Sequence, residues 1–173
     1  MTNSKATYSE LELIDALVFK TCGLELTNVE KELESQEYFA HTFLLGGQKV
    51  IFRNAKITPT KKGQFVTIWK RSKKGITEPY AISDDFDLFI IAVRQNENFG
   101  LFIFSKNVLY ENKILSSETR EGKRGIRVYP TWDLAPNKQA ERTQIWQTKY
   151  FLEIKPNLSL NVKSAKHLFN LNR

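Results

Sequence analysis

Six apolar residues in succession, Leu88-Phe89-Ile90-Ile91-Ala92-Val93, constrain the fold of this chain more than any other feature. Side chains of a strand point alternately to opposite faces, so a strand apolar at every position must be covered on both. A turn over Asn96 to Gly100 follows, and Leu101 to Phe104 supplies a hairpin partner. Other short β-rich runs lie around this pair. Phe39 to Leu45 and Lys49 to Phe52 flank Gly46-Gly47, a dipeptide suited to the positive φ of a primed hairpin turn. Gln64 to Arg71 alternates, with Phe65, Thr67 and Trp69 on one face and Val66 and Ile68 on the other. Gly125 to Tyr129, closed by Pro130, is a further candidate strand. One twisted, mostly antiparallel sheet is expected.

Helices are expected at both ends. Leu11, Ile14, Leu17, Val18 and Cys22 recur at the spacing of one helical face, Ser9 and Glu12 form a capping box, and Gly23 is placed to end the helix. Residues 24–36 are acidic and poorly periodic, predicting a loop or a short helix around Asn28 to Leu33. Asn137 to Phe151 predicts an amphipathic helix following Pro136, and Val162 to Leu171 a shorter one. The fold class is therefore α+β, a mixed, mostly antiparallel central sheet with flanking helices, and 173 residues suit a single domain.

No apolar run approaches the roughly 18 residues that span a bilayer, and the start, Met1 to Lys5, lacks the apolar stretch of a signal peptide. With one cysteine, Cys22, no internal disulfide can form, and the cytoplasm is the expected compartment. Cys22 is expected to serve packing. The net charge of +7 is unevenly distributed: residues 1–50 carry four Lys/Arg against eight Asp/Glu, and residues 51–173 carry 22 against 11. Between Ile51 and Thr77 stand Arg53, Lys56, Lys61, Lys62, Lys70, Arg71, Lys73 and Lys74 without one acid. A field of one sign over such a stretch attracts polyanions, and phosphate neutralisation is the usual source of affinity for nucleic acid. A solvated, solubilising face is the plainer reading, but such faces normally intersperse both signs.

Several blocks resemble the MepB-like family of bacterial proteins: Arg53 through Lys61-Lys62-Gly63 to Trp69-Lys70-Arg71, Phe86-Asp87 to Gln95, Asn98 to Lys106, and Glu121 through Lys123-Arg124-Gly125 to Trp132-Asp133. The resemblance runs over about residues 35–155 and includes the segment with Trp146. The family takes its name from a gene cluster for multidrug export. The resemblance implies a fold similar to restriction-endonuclease-like nucleases and an interaction with nucleic acid, in agreement with the charge distribution.

Those nucleases hold a divalent metal with an Asp at the start of one strand and an acid two residues before a Lys on the next; hard oxygen ligands suit Mg²⁺. Here Asp87 opens one strand and Lys106 closes its neighbour, making them the candidate catalytic pair, with Lys106 expected opposite about Ile90. The position two before Lys106 is Phe104, so the second acid is missing unless Asp84, Asp85, Glu78, Glu34 or Glu37 moves in. An acidic turn ahead of a buried strand is the simpler reading of Asp84, Asp85 and Asp87. His41 and His167 have no partners at ligand spacing, and no phosphate-binding glycine loop or nucleophile triad is present. No metal or cofactor is expected, Mg²⁺ entering only if nuclease activity persists.

The binding constellation is richer, because cations that hold phosphates interleave with aromatics that can stack bases. Candidate nucleic-acid contacts are Lys56, Thr58, Thr60, Lys61, Lys62, Trp69, Lys70, Arg71, Arg94, Lys106, Lys123, Arg124 and Arg127, with core packing the competing role for Trp69, Trp132 and Trp146. Lys61, Lys62, Lys70, Arg71, Lys123, Arg124 and Arg127 are expected to converge on one face. The sequence thus predicts a DNA- or RNA-binding protein without robust cleavage and with no membrane attachment. An accessory module for a small molecule or protein beside an efflux system, and an active Mg²⁺-dependent nuclease, stay open as alternatives.

Overall fold

A computed structural model describes residues 10–155 and 157–170. The chain begins with α1, in which residues 10–14 are α-helical and Asp15–Phe19 widen into a π-turn, with the Lys20 N–H donating to the Asp15 carbonyl. Strands β1 (Leu26–Lys31), β2 (His41–Leu45), β3 (Gln48–Asn54), β4 (Lys56–Ile57), β5 (Gln64–Thr67), β6 (Trp69–Arg71), β7 (Thr77–Pro79), β8 (Leu88–Gln95) and β9 (Asn98–Ser105) follow. Then come α2 (Lys106–Glu111), β10 (Gly125–Val128), α3 (Lys138–Thr148), β11 (Phe151–Glu153) and α4 (Val162–Leu168). The Ser9 cap and the Leu171 end of the last helix lie outside the described residues.

The central sheet has six strands in the order β1-β2-β3-β8-β9-β11, parallel between β3 and β8 and antiparallel elsewhere. The α+β architecture with a mixed, mostly antiparallel sheet is as expected. The apolar run occupies the middle, and it is buried on both faces as its composition requires. Leu88, Ile90 and Ala92 join Leu101 and Ile103 in one core with α1 and Phe169; Phe89, Ile91 and Val93 join Phe102 and Phe104 in the other. Gly46 and Gly47, at φ 55° and 85°, make the two-residue turn between Leu45 and Gln48.

The expectation of one sheet is corrected. β10, β5 and β4 form a separate three-stranded sheet, and β6 pairs with β7 in a two-stranded ribbon. The Gln64–Arg71 run breaks at Ile68, which with Val66 is fully buried against Phe89 and Ile91. The small sheet therefore caps the second core with one face and turns Phe65, Thr67 and Arg127 the other way.

Five elements have no counterpart among the expectations: β1, β11 and α2, and the short strands β4 and β7 that pair with β5 and β6. β1 replaces the expected loop or helix: it is an edge strand held by β2, with Asn28 at φ 54° where the register slips, and exposed Asn28 to Lys31 leave no alternation to read. β11 is a three-residue edge strand on β9, and α2 is one short turn and a half capped by Ser105, whose Oγ accepts from the Val108 N–H at 3.2 Å. The helix expected over Asn137 to Phe151 runs Lys138–Thr148 with Asn137 as its cap. Ala140 and Gln147 are its buried residues and Ile145 is exposed.

Candidate nucleic-acid interface

Residues directly opposite on paired strands share a face. The register Lys56↔Phe65↔Arg127 therefore places two cations either side of an aromatic ring, on the side of the small sheet away from the core. Gly125 makes room for that ring, since a Cβ there would sit 2.5 Å from Phe65 Cζ. Tyr38, from a 3₁₀ turn (Gln36–Tyr38), meets Phe65 edge-on at 6.1 Å between centroids, and Lys56 Nζ lies 4.8 Å from the Tyr38 ring centre.

The loop between β4 and β5 is tied to this row. Arg127 donates to Thr58 Oγ1 at 2.7 Å and to the Lys62 carbonyl at 3.1 Å, so Thr58, Thr60, Lys61 and Lys62 are carried on a loop whose base is held by Arg127. The Tyr129 ring packs over Gly63, which has φ 75° and leaves no space for a side chain. Behind the strand, buried Gln147 of α3 donates to the Arg127 carbonyl and accepts from the Tyr129 N–H, both at 2.9 Å. A helix glutamine thus sets the height at which Arg127 leaves β10. Lys61 and Lys62 are exposed. Asp133 lines the same hollow as Lys62; burial raises its pKa, against the pull of the Lys62 charge. Lys123 lines a cavity of about 340 Å³ with Arg127, Tyr129 and Trp146, between β10 and α3.

Four other candidate cations have acidic partners. Lys70 donates to Asp84 at 2.6 Å and lies 3.4 Å from Glu78; burial works against its charge, but these partners prevail and raise its pKa. Arg71 pairs with Glu34 at 2.6 Å, and that hydrogen bond lowers the Glu34 pKa and raises that of Arg71. Arg94 lies 3.4 Å from Glu10, and Arg124 2.9 Å from Glu121. The seven cations expected on one face are thus divided: Lys61, Lys62 and Arg127 come together, Lys123 lines the adjoining cavity, and Lys70, Arg71 and Arg124 are engaged elsewhere. Arg53, counted with the basic segment, is not on the surface at all. It is 1% exposed, paired with Glu32, and donates to Tyr80 Oη at 3.3 Å.

The tryptophans divide as well. Trp132 donates to Gln95 and packs on Phe151, and Trp146 lies 5.3 Å from the Phe104 ring, so both serve the core. Trp69 is half-buried with Arg71 5.6 Å from its ring centre. Phe65 and Tyr38 are not among the residues that the sequence marks as contacts. The alternation of the Gln64 strand contained the signal for Phe65; Tyr38 comes from a distant turn and had none.

Asp87 and Lys106 are neighbours, the Lys106 N–H donating to the Asp87 carbonyl at 3.1 Å. The expected offset opposite Ile90 is corrected, because the hairpin turns at Asn96-Glu97 and pairs Leu88 with Ser105. Asp87 Oδ2 accepts from the Lys49 N–H at 2.8 Å; Asp85 pairs with the Lys49 ammonium, which lowers its pKa. Asp84 accepts from Lys70 on one oxygen and from the Ala81 N–H on the other, and the Lys106 ammonium donates to the Asp84 carbonyl. Phe104 is fully buried. These acids do not fit a Mg²⁺ site: both carboxylate oxygens of Asp84 and one each of Asp85 and Asp87 serve lysines and backbone amides, and among the described residues no three His, Cys, Asp or Glu side chains could hold one ion.

A family model described as MepB-like matches residues 32–153. Among solved structures, the crystal structure of MepB superposes with a TM-score of 0.75 at 34% identity, covering 92% of this chain and all of that one. A bacterial homing endonuclease superposes with a TM-score of 0.45 at 15% identity over 82% of this chain and 88% of that one, a likeness too slight to carry an argument. No curated protein matches the sequence.

Proposed function

The chain belongs to the MepB-like family, and from that premise we propose that it binds nucleic acid, DNA or RNA, on the outer face of the small sheet without cutting it. The observation that carries this reading is the Lys56-Phe65-Arg127 row with the loop that Arg127 holds. Among the described residues, Lys56, Lys61, Lys62, Lys123 and Arg127 form no ion pair with an acid, so their charge is available to phosphates. The Thr58 and Thr60 hydroxyls add neutral donors beside them, and Phe65 and Tyr38 offer apolar ring surface between cations, a combination that tolerates varied sequence. Cleavage is not part of the proposal, because Asp84, Asp85 and Asp87 are committed to protein partners. The proposed setting is the cytoplasm; among the described residues no helix is long and apolar enough to cross a membrane.

The test is retention of fluorescent oligonucleotides over a salt series. Wild type should lose affinity steeply with salt, and Lys61→Ala with Lys62→Ala should weaken binding to unrelated sequences equally while flattening the log–log salt slope by about two. A folded double variant with unchanged affinity and slope overturns the assignment of this face. Absence of oligonucleotide binding by the wild type, with capture of an acidic protein instead, overturns nucleic acid as the ligand.

A further inference from the structure

The β6–β7 ribbon is not explained by the interface above. Its three pairs, Trp69↔Pro79, Lys70↔Glu78 and Arg71↔Thr77, are followed by a tip of Lys73, Lys74 and Gly75 between Ser72 and Ile76. The base of the ribbon is neutralised, Lys70 by Asp84 and Glu78 and Arg71 by Glu34. The tip is not: Lys73 and Lys74 are exposed, form no ion pair with an acid among the described residues, and lie three and two positions before Ile76, which is 62% exposed.

The tip is also shaped in advance. Ser72 donates its N–H to the Ile76 carbonyl at 2.8 Å and accepts from the Ile76 N–H on its Oγ at 3.2 Å, and Gly75 takes φ 80°. Arg71, held by Glu34 and lying against Trp69, donates to the Gly75 carbonyl at 2.8 Å. An ordered apolar side chain beside two free cations gains nothing from water. It suits a surface that is anionic outside and apolar within, which is what a base-pair stack between two phosphate strands presents.

We propose that this tip is a second grip on duplex nucleic acid, with Ile76 wedged between base pairs from the minor groove and Lys73 and Lys74 on adjacent phosphates. The proposal rests on the nucleic-acid reading above but concerns a different element, and it makes the double-stranded form the ligand at this point. Glu34 and Arg124 hold the last pair, Arg71↔Thr77, to the domain, so the grip is the five-residue tip from Ser72 to Ile76.

A duplex carrying 2-aminopurine at one step, titrated with the full chain, tests it. Wild type should raise the 2-aminopurine fluorescence by unstacking; Ile76→Ser should abolish the rise and weaken duplex binding several-fold with an unchanged salt slope, while Lys73→Ala with Lys74→Ala flattens the slope by about two. Unchanged melting temperatures are expected for these variants, the three side chains being exposed. If wild type binds the duplex in a manner dependent on Lys61 and Lys62 but without unstacking, or if Ile76→Ser unstacks equally well, the wedge is overturned and the sheet interface stands. If wild type binds single-stranded oligonucleotides but no duplex, the wedge falls and the sheet interface stands; if it binds neither, both fall. Binding to phosphatidylglycerol vesicles that depends on Ile76, with duplex binding indifferent to it, overturns the wedge in favour of a lipid surface.

Discussion

Arg127 donates to Thr58 Oγ1 at 2.7 Å, a side-chain contact between residues 69 positions apart that fastens the lysine-bearing loop to the sheet it borders. Removing the guanidinium should do two separable things. Arg127→Ala frees the loop, so proteolysis after Lys61 or Lys62 should accelerate, and it removes one phosphate contact, so the salt slope should fall by about one. Arg127→Lys keeps the charge but lacks the fork that reaches both Thr58 and the Lys62 carbonyl, and should restore the slope without restoring protection. Protection and slope recovering together in Arg127→Lys would argue against the fastening role.

The buried pair of Arg53 and Glu32 sets a stability test. Arg53 is fully enclosed, so Glu32→Ala leaves an unpaired charge in the interior at a cost on the order of 3 kcal/mol. Arg53→Met leaves behind only Glu32, whose side chain is 24% exposed and reaches water, and should cost less. Chemical denaturation of the two variants checks the order; the reverse ranking would mean that the guanidinium contributes more than its neutralisation.

Tyr80 predicts an alkaline signature. Burial pushes its pKa up to about 12, against the lowering effect of Arg53. The folded protein then holds the phenolic proton where the unfolded chain, titrating near 10, has lost it. The stabilisation is complete below pH 10 and is lost between about pH 10 and 12, on the order of 2–3 kcal/mol. Tyr80→Phe should be less stable than wild type at neutral pH through the lost hydrogen bond to Arg53, and the gap should narrow as pH rises through this window. A gap independent of pH up to 12 would contradict the burial argument.

The acidic turn should prove structural. Asp87→Ala removes the acceptor of the Lys49 N–H and should cost about 1 kcal/mol, with no effect on oligonucleotide integrity in Mg²⁺ or Mn²⁺. Phe104→Glu, which supplies the acid of the nuclease pattern, buries a carboxylate among Phe102, Trp146 and Tyr150 and should unfold the protein rather than create a nuclease. Cleavage by wild type that vanishes in Asp87→Ala would refute this reading of the turn.

The two-sided burial of β8 and β9, the apolar face of α1 and the glycine turn at Gly46-Gly47 are legible in the sequence, because each depends on residue type and spacing within a few positions. The sequence also carried the family, through blocks that survive as local strings. The folded chain settles which cations face solvent unopposed. Lys70, Arg71 and Arg53 look alike along the chain, yet Asp84, Glu34 and Glu32 meet them across 14, 37 and 21 positions, and burial removes Arg53 altogether. It also made edge strands of β1 and β11, whose backbone pairing leaves no periodic mark on their side chains. Charge acts through space and pairing acts through the backbone, so neither is written in the order of the residues.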